Sequence, residues 1–275
     1  MNDAIRADYS ALDRPDVGRF LFHPRKSAPS AEKRDNFQEL RIPVAEGIAV
    51  GARFHVADAG GATLLFFHGN GEIVADYDDI APLFNRLGIN FLVVDYRGYG
   101  ISDGTPTASA MMADCHRIFD FAEKWKTEKG FFGPLIVMGR SLGSASALEL
   151  AASYPDRFDG LIVESGFAWA GPLLRRLGVD PGRIGFDESS GFANVDKIKR
   201  FAKPTVIIHA EFDHIIPFSD GKTLYDASPA DEKTLLTIFG ANHNDIFLRG
   251  LDRYLEAVVN LARTISDPTI TIRSG

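Results

Sequence analysis

The sequence has little of several features that would assign it to a particular class of protein. Its 275 residues include one cysteine, Cys115, so no disulfide forms within the chain and the fold does not depend on an oxidising compartment. No apolar run approaches the ~18 residues that cross a bilayer, and no signal-peptide segment occurs in the N-terminal stretch MNDAIRADYSALDRPD. The net charge of −7 gives no bulk attraction for a polyanion. We therefore expect a cytoplasmic protein without a membrane span and without a nucleic-acid partner.

Motifs for nucleotide and metal binding are also missing. A phosphate-binding loop of the Walker type needs a lysine after its second glycine, whereas Gly143 is followed by Ser144, and the Gly-x-Gly sequences of the chain lack the third glycine of a dinucleotide motif. His209, Asp213 and His214 lie close together, but they do not form the helical pair of a zinc enzyme. We expect no cofactor and no metal.

The composition leaves room for one large α/β domain, with 45% hydrophobic and 24% charged residues. Short apolar runs, none with a clean polar alternation, predict strands that are buried on both faces of a parallel sheet. They cover residues 63–67, 90–95, 135–138, 161–163, 205–208 and 234–239. The segments 37–43 and 48–56 predict an antiparallel hairpin at the edge of the sheet. Helices are expected over residues 75–87, 108–129, 142–153, 219–227 and 245–266.

Strands that alternate with helices predict an open, mostly parallel sheet of about eight strands with helices on both faces. We expect residues 1–36 to form an arm that packs on the core, and residues 37–275 to form the domain. Within that domain, residues 167–203 are glycine-rich and long for a connection between strands, which favours a short lid insertion over the sheet.

One serine lies between two glycines where a predicted strand gives way to a helix, in Gly139-Arg140-Ser141-Leu142-Gly143. An ordinary glycine turn with a structural serine is one interpretation. The position between strand and helix favours the other, a nucleophile elbow that presents the serine hydroxyl on a strained turn. The backbone N–H of Leu142 would then form part of an oxyanion hole, with an N–H from the HGNG sequence after the strand 63–67.

A serine nucleophile needs a base and an acid that orients the base. Downstream of the serine, His243 follows the last strand in a loop, whereas His209 is placed in a strand end and His214 in a loop. Asp213 follows the penultimate strand and is the favoured acid. Glu164, which follows the strand before residues 167–203, is the rival, although Arg140 is also a partner for it.

Five motifs occur in the order found in one large family: HGNGE, DYRGYGISDG, GRSLGS, HAEFDHIIP and GANHND. From about residue 37 to residue 264 the chain resembles the α/β-hydrolase superfamily, in particular the branch of small serine esterases, acyl-protein thioesterases and peptidase-like members. The resemblance implies Ser141 as nucleophile, Asp213 as acid, His243 as base, and oxyanion amides of Asn70 and Leu142. The glutamate of GNGE departs from the small residue that close relatives often carry.

The resemblance implies a hydrolase that cleaves a carboxylic ester or thioester of a small-molecule or acylated substrate through an acyl-enzyme. A peptidase or amidase of the same fold, or a non-enzymatic receptor or scaffold that retains the three side chains, are the alternatives. Apolar residues of the 167–203 segment, and of the loop around Asp213 (the acid loop), either line an acyl pocket or pack the segment onto the body of the domain. The candidates for the pocket are Phe167, Trp169, Leu173, Phe212 and Ile215.

Overall fold

A computed structural model describes residues 7–29, 37–189 and 191–266. An eight-stranded sheet forms the centre, in the order β1-β2-β4-β3-β5-β6-β7-β8. The strands β1 and β2 pair with each other antiparallel, β2 pairs antiparallel with β4, and the remaining pairs are parallel. The strands are β1 Gln38–Ala45, β2 Ile48–His55, β3 Thr63–Phe67, β4 Asn90–Val94, β5 Leu135–Arg140, β6 Gly160–Glu164, β7 Thr205–Ala210 and β8 Lys233–Ile238.

Helices cover both faces of this sheet. One hydrophobic cluster joins the sheet to α1, α3, α4, α5, α6 and α7, and a second joins the other face to α2, α8 and a short 3-10 helix, Val74–Tyr77. The helices are α1 Pro15–Leu21, α2 Ala81–Asn85, α3 Ala108–Glu128, α4 Gly143–Ser153, α5 Ala170–Arg176, α6 Asn194–Ile198, α7 Phe218–Ala227 and α8 Ile246–Ser266. The predicted class, a mostly parallel sheet of about eight strands between helices, is confirmed.

The predicted elements agree with the structure except at one helix and at the edge strand β8, which is only partly buried instead of buried on both faces. Every residue of β3, β4 and β6 is buried, as expected for apolar runs without alternation. The single helix predicted over residues 75–87 is wrong, because the chain forms the 3-10 helix and then α2 as separate pieces. Pro82 lies in the first turn of α2, where its missing N–H is tolerated, and this position starts a new helix rather than continuing an old one.

The N-terminal segment, residues 7–29, contributes to the main hydrophobic cluster through Tyr9, Leu12 and Val17. Its last residues run beside the loop after β4, where the N–H of Gly100 donates to the carbonyl of Arg25 over 2.7 Å. The division into an arm and a domain at residue 36 stays a prediction, and residues 30–36 lie outside the described residues.

Of residues 167–203, all except residue 190 are described, and they include the short helices α5 and α6 and several turns. The carboxylate of Glu188 accepts the N–H groups of Ala170 and Gly171, at 2.6 and 2.7 Å, and so satisfies the first turn of α5. The side chain of Asn194 donates to the carbonyl of Phe167 over 2.8 Å. The segment is therefore internally bonded, while its role as a lid stays a prediction. In the described ranges, no helix has the length and apolarity to cross a membrane.

Candidate active site

Ser141 lies on a sharp turn between β5 and α4. Its φ of +51° is in the left-handed region, which is uncommon for a residue other than glycine. The two flanking glycines are needed for space: a Cβ on Gly139 would lie 2.3 Å from the carbonyl oxygen of Gly143, and a Cβ on Gly143 would lie 2.1 Å from that of Phe67. The turn thus packs directly against the end of β3, and only glycine fits at either side of the serine.

Three side chains from three loops meet at this turn. The Nε2 atom of His243 lies 3.0 Å from the Oγ atom of Ser141, and its Nδ1 atom lies 2.7 Å from the Oδ2 atom of Asp213. All three residues are buried. Since a carboxylate only accepts, Nδ1 of the neutral ring carries the hydrogen, and Nε2 is left with the lone pair that faces the serine hydroxyl.

The carboxylate of Asp213 is fixed by the backbone as well as by the histidine. Its Oδ1 atom accepts the N–H groups of Ile215 and Ile216 at 3.0 and 2.8 Å. Burial by itself raises the pKa of Asp213, but the hydrogen bonds from His243 and Ile216 outweigh burial and lower this pKa below its usual value. The group is therefore an anion at neutral pH, aimed at the imidazole.

The chain is similar in sequence to known proteins. Residues 59–179 match a family model described as serine aminopeptidase, S33. The chain is 31% identical over 208 residues to alpha/beta hydrolase domain-containing protein 17B of Homo sapiens. The matched region is 70% of this chain and 64% of that protein, so the chain spans less than two thirds of this relative's length. It is 29% identical over 242 residues to protein 17C of Xenopus laevis, which covers 82% of this chain and 70% of that protein.

Two solved structures are similar to the whole domain. Est1E from Butyrivibrio proteoclasticus with bound ferulic acid has a TM-score of 0.69 at 19% identity, covering 82% of this chain and 99% of that one. Esterase Pf2001 of Pyrococcus furiosus has a TM-score of 0.71 at 14% identity, covering 89% and 100%. Likeness at such identities shows the fold alone. The sequence matches and this fold together identify the chain as a member of the α/β-hydrolase superfamily.

In this α/β-hydrolase the loop after β3 lies beside the serine turn. The side-chain oxygen of Asn70 accepts hydrogen bonds from the backbone N–H of His23, at 2.9 Å, and from the hydroxyl of Tyr99, at 2.7 Å. The backbone N–H groups of Asn70 and Leu142 donate to no protein group within the ranges that the structure describes. Both amides are thus available to a ligand, while the side chain of Asn70 is engaged elsewhere.

Glu164, the rival acid of the sequence analysis, has other partners. Its Oε2 atom accepts the hydroxyl of Tyr254 at 2.7 Å, and its Oε1 atom lies 3.5 Å from the Nη1 atom of Arg140. Burial raises its pKa above the usual value despite the charge of Arg140. Only the backbone of Glu164 touches the nucleophile, because its carbonyl accepts the N–H of Ser141 at 2.8 Å. The geometry places Asp213, and not Glu164, on the imidazole.

The other two histidines do not enter this arrangement. His209 is buried at the end of β7, and its Nε2 atom donates to the carbonyl of Ile216 over 2.9 Å. Burial lowers its pKa, so the ring is neutral and acts as a bonded core group. The side chain of His214 is exposed, and its carbonyl accepts a hydrogen bond from Arg176.

Arg140 is the part of this site that the sequence motifs did not assign beyond a pairing with Glu164. Its buried guanidinium places Nε 3.0 Å from the Oε1 atom of Glu72, and Nη2 donates to the carbonyl of His243 over 3.1 Å. The Oε2 atom of Glu72 in turn accepts the N–H of Gly69 at 2.7 Å and the hydroxyl of Tyr77 at 2.6 Å. In the sequence, the available signal for this network was the glutamate of GNGE together with the arginine directly before Ser141.

The charges of this network explain its pKa shifts. Burial raises the pKa of Glu72, but the charge of Arg140 and the hydroxyl of Tyr77 outweigh burial and hold this pKa below its usual value. Burial lowers the pKa of Arg140, but the charges of Glu72 and Glu164 more than offset this effect, so the guanidinium stays charged. One buried cation therefore compensates two carboxyl groups, the buried one of Glu164 and the partly buried one of Glu72.

The predicted pocket residues lie in different environments. Phe167 is 1% exposed and packs against Phe192 with ring centroids 5.4 Å apart, which favours the packing interpretation for this residue. Leu173 and Ile215 are partly buried against the main hydrophobic cluster. A lining role for these two residues, and for the exposed pair formed by Trp169 (41% exposed) and Phe212 (63% exposed), stays a prediction.

Replacing Arg140 with methionine removes the cation and leaves the buried carboxyl group of Glu164 and the partly buried one of Glu72 without it. We expect the free energy of unfolding at pH 7 to fall by about 3–5 kcal/mol, measured by urea denaturation. The same substitution at Arg157, whose ion pair with Asp120 is solvent-exposed, should lower it by less than about 1 kcal/mol.

The effect of the Arg140 substitution should also depend on pH. Without the guanidinium, burial raises the pKa of both carboxyl groups above that in the unfolded chain, so protonation favours the folded state. The difference between wild type and variant should therefore shrink as the pH is lowered from 7 to 5. A difference that is independent of pH, or no larger than that of Arg157→Met, would contradict this account.

Proposed function

We propose that this chain is a serine hydrolase that cleaves carboxylic esters or thioesters. The observation that carries the proposal is the hydrogen-bonded series from Asp213 through His243 to Ser141, on a turn at the carboxyl end of a parallel strand. A serine hydroxyl is a weak nucleophile unless a base takes its proton, and a base is most effective when an acid fixes its tautomer. These are the roles that the three side chains fit.

The proposed reaction has two halves. The Oγ atom of Ser141 attacks the carbonyl carbon while its proton passes to Nε2 of His243, and the carbonyl oxygen becomes an oxyanion. When this intermediate breaks down, the same proton goes to the leaving alcohol or thiol, and the acyl group stays on the serine. Water then attacks the acyl-enzyme in the same way, which releases a carboxylic acid and restores the serine hydroxyl.

The oxyanion would be stabilised by the backbone N–H groups of Asn70 and Leu142, neither of which donates to a protein group in the described ranges. Donors that are already fixed in place stabilise the developing charge without reorganisation. The bonds from His23 and Tyr99 to the side chain of Asn70 support such a fixed loop.

We favour esters and thioesters over amides because the proteins of similar fold include an esterase, Pf2001 of Pyrococcus furiosus. The matching family model is described as a serine aminopeptidase, so a peptidase or amidase is the second candidate. A receptor or scaffold without activity is the third candidate, and labelling by an organophosphonate probe distinguishes it from the other two.

The lone Cys115, free and buried, supports a cytoplasmic location.

An organophosphonate probe should label Ser141 alone. Ser141→Ala should abolish labelling and lower esterase activity by about 10³-fold or more, because only binding and the oxyanion hole remain. Ser153→Ala, which changes an exposed serine at the end of α4, should leave both intact and serves as the control. Wild-type protein that is folded but inert to the probe and to a panel of esters would favour the non-enzymatic alternative.

Asp213→Asn should lower kcat by about 10⁴-fold with the fold intact, because an asparagine no longer fixes the histidine tautomer or stabilises the imidazolium. Glu164→Gln should have a smaller effect that is partly a loss of stability, since Glu164 bonds Tyr254 and pairs with Arg140. Steady-state kinetics and thermal unfolding of both variants test the ranking. The reverse order, with both proteins folded, would move the acid to Glu164.

Asn70→Ala should lower kcat/KM by only about 10-fold, because the backbone donor remains and only the bonds that fix the loop are lost. His23→Ala removes the contact between the histidine ring and the side chain of Asn70. Because both single changes break this contact, the double variant should lose less activity than the two single losses combined. A loss of 10²–10³-fold for Asn70→Ala is the effect of removing a full oxyanion donor, and would mean that the side chain is the donor.

A further inference from the structure

A cavity of about 720 Å³ lies between α1 and the loop at residues 105–107 that leads into α3. Its size is within the range of small-molecule sites, roughly 300–1,000 Å³. Three of the lining residues are prolines with a fixed φ, so part of the wall is preformed. The apolar and glycine lining consists of Leu12, Pro15, Gly18, Phe22, Pro24 and Pro106.

Gly18 keeps part of this space open. It lies inside α1, with helical hydrogen bonds to Arg14 and from Phe22, although glycine is a poor helix former. A Cβ built on Gly18 would meet no atom within 4 Å. Close packing therefore does not require a glycine here, and the volume that a side chain would occupy belongs to the cavity.

The cavity wall is bonded to the loop that carries the proposed oxyanion donor. His23 lines the cavity, its N–H donates to the side chain of Asn70 over 2.9 Å, and its Nδ1 atom lies 2.8 Å from Nδ2 of Asn70. Arg25, also in the lining, donates from Nε to the carbonyl of Gly71 over 2.7 Å. The wall of the cavity is therefore in direct contact with the loop that would hold the substrate carbonyl.

The polar groups of the lining are largely engaged by the protein. Arg25 pairs with Asp76 in addition to its bond to the loop. Asp13 accepts the N–H of Ser109 at 3.0 Å, and the guanidinium of Arg19 lies over the ring of Phe20. What remains for a ligand is mainly the apolar surface, which favours a neutral hydrocarbon group over a charged one.

We propose that this cavity binds the apolar acyl group of the substrate, an unbranched alkanoyl chain of medium length. The proposal rests on the proposed function, because it places the acyl carbonyl at Asn70 and Ser141. It assigns substrate binding to the N-terminal segment, and not to the residues of the 167–203 segment and the acid loop.

Gly18→Phe tests the proposal by filling the cavity from α1. Each methylene taken from water contributes roughly fourfold to kcat/KM. If the phenylalanine excludes three or more methylenes from the cavity, kcat/KM for p-nitrophenyl octanoate should fall by well over 10-fold. An acetyl group is too short to reach the cavity, and the octanoate-to-acetate ratio of kcat/KM should fall by at least about 10-fold. Gly18→Ala should lower the ratio less.

Asp16→Phe is the matched control, because it places the same side chain on an exposed position of α1. It should leave the octanoate-to-acetate ratio unchanged, and thermal unfolding shows whether each variant is folded. An unchanged ratio in folded Gly18→Phe overturns the proposal. A lowered ratio in Phe212→Ala with none in Gly18→Phe also overturns it and places the acyl group near the acid loop.

Binding of octanoate to Ser141→Ala protein, measured by calorimetry, separates this proposal from the proposed function. Adding Gly18→Phe to that protein should weaken octanoate binding by at least about 10-fold. If wild type is inert to esters and to the organophosphonate while octanoate binding still depends on Gly18, the hydrolase proposal fails and the cavity assignment stands. No binding, or equal binding by both proteins, overturns the cavity assignment whatever the activity.

Discussion

The guanidinium of Arg140 holds together the parts of the chain that form the candidate site. It pairs with Glu72 in the loop after β3, lies next to Glu164 at the end of β6, and donates to the carbonyl of His243 after β8. These segments are distant in sequence, and the buried cation gives each of them a partner in the same place. Because the carboxyl groups of Glu72 and Glu164 both depend on it, a change at this residue affects the loops on both sides of the serine.

The loop after β3 is also fixed from the opposite side. His23 and Arg25 bond to Asn70 and Gly71, and Tyr99 adds its hydroxyl to the same asparagine. A loop held between a buried network and the N-terminal segment has little freedom, which suits a site that must keep its backbone donors in place before the substrate arrives. The same contacts join the wall of the cavity beside α1 to the loop of the proposed oxyanion donor.

Much of this architecture follows from local sequence patterns. Apolar runs without alternation predicted the positions of the parallel strands, because β3 to β7 are buried on both faces, whereas the edge strand β8 is only partly buried. The glycines around Ser141 predicted the turn, since a side chain at Gly139 or Gly143 collides with backbone. The helix over residues 75–87 was wrong because a local apolar pattern does not show that Pro82 begins a separate helix.

By itself, then, the sequence predicted the sheet, the serine turn, and the serine and histidine of the candidate site, since these depend on neighbouring residues and on strand order. Only the tertiary structure shows that Asp213, and not Glu164, contacts His243, because both follow strands at the same edge and differ in which side chains they meet. It also placed Phe167 in the core and the N-terminal segment beside Asn70. Contacts between residues far apart in the chain leave no periodic signal, so no local pattern predicts them.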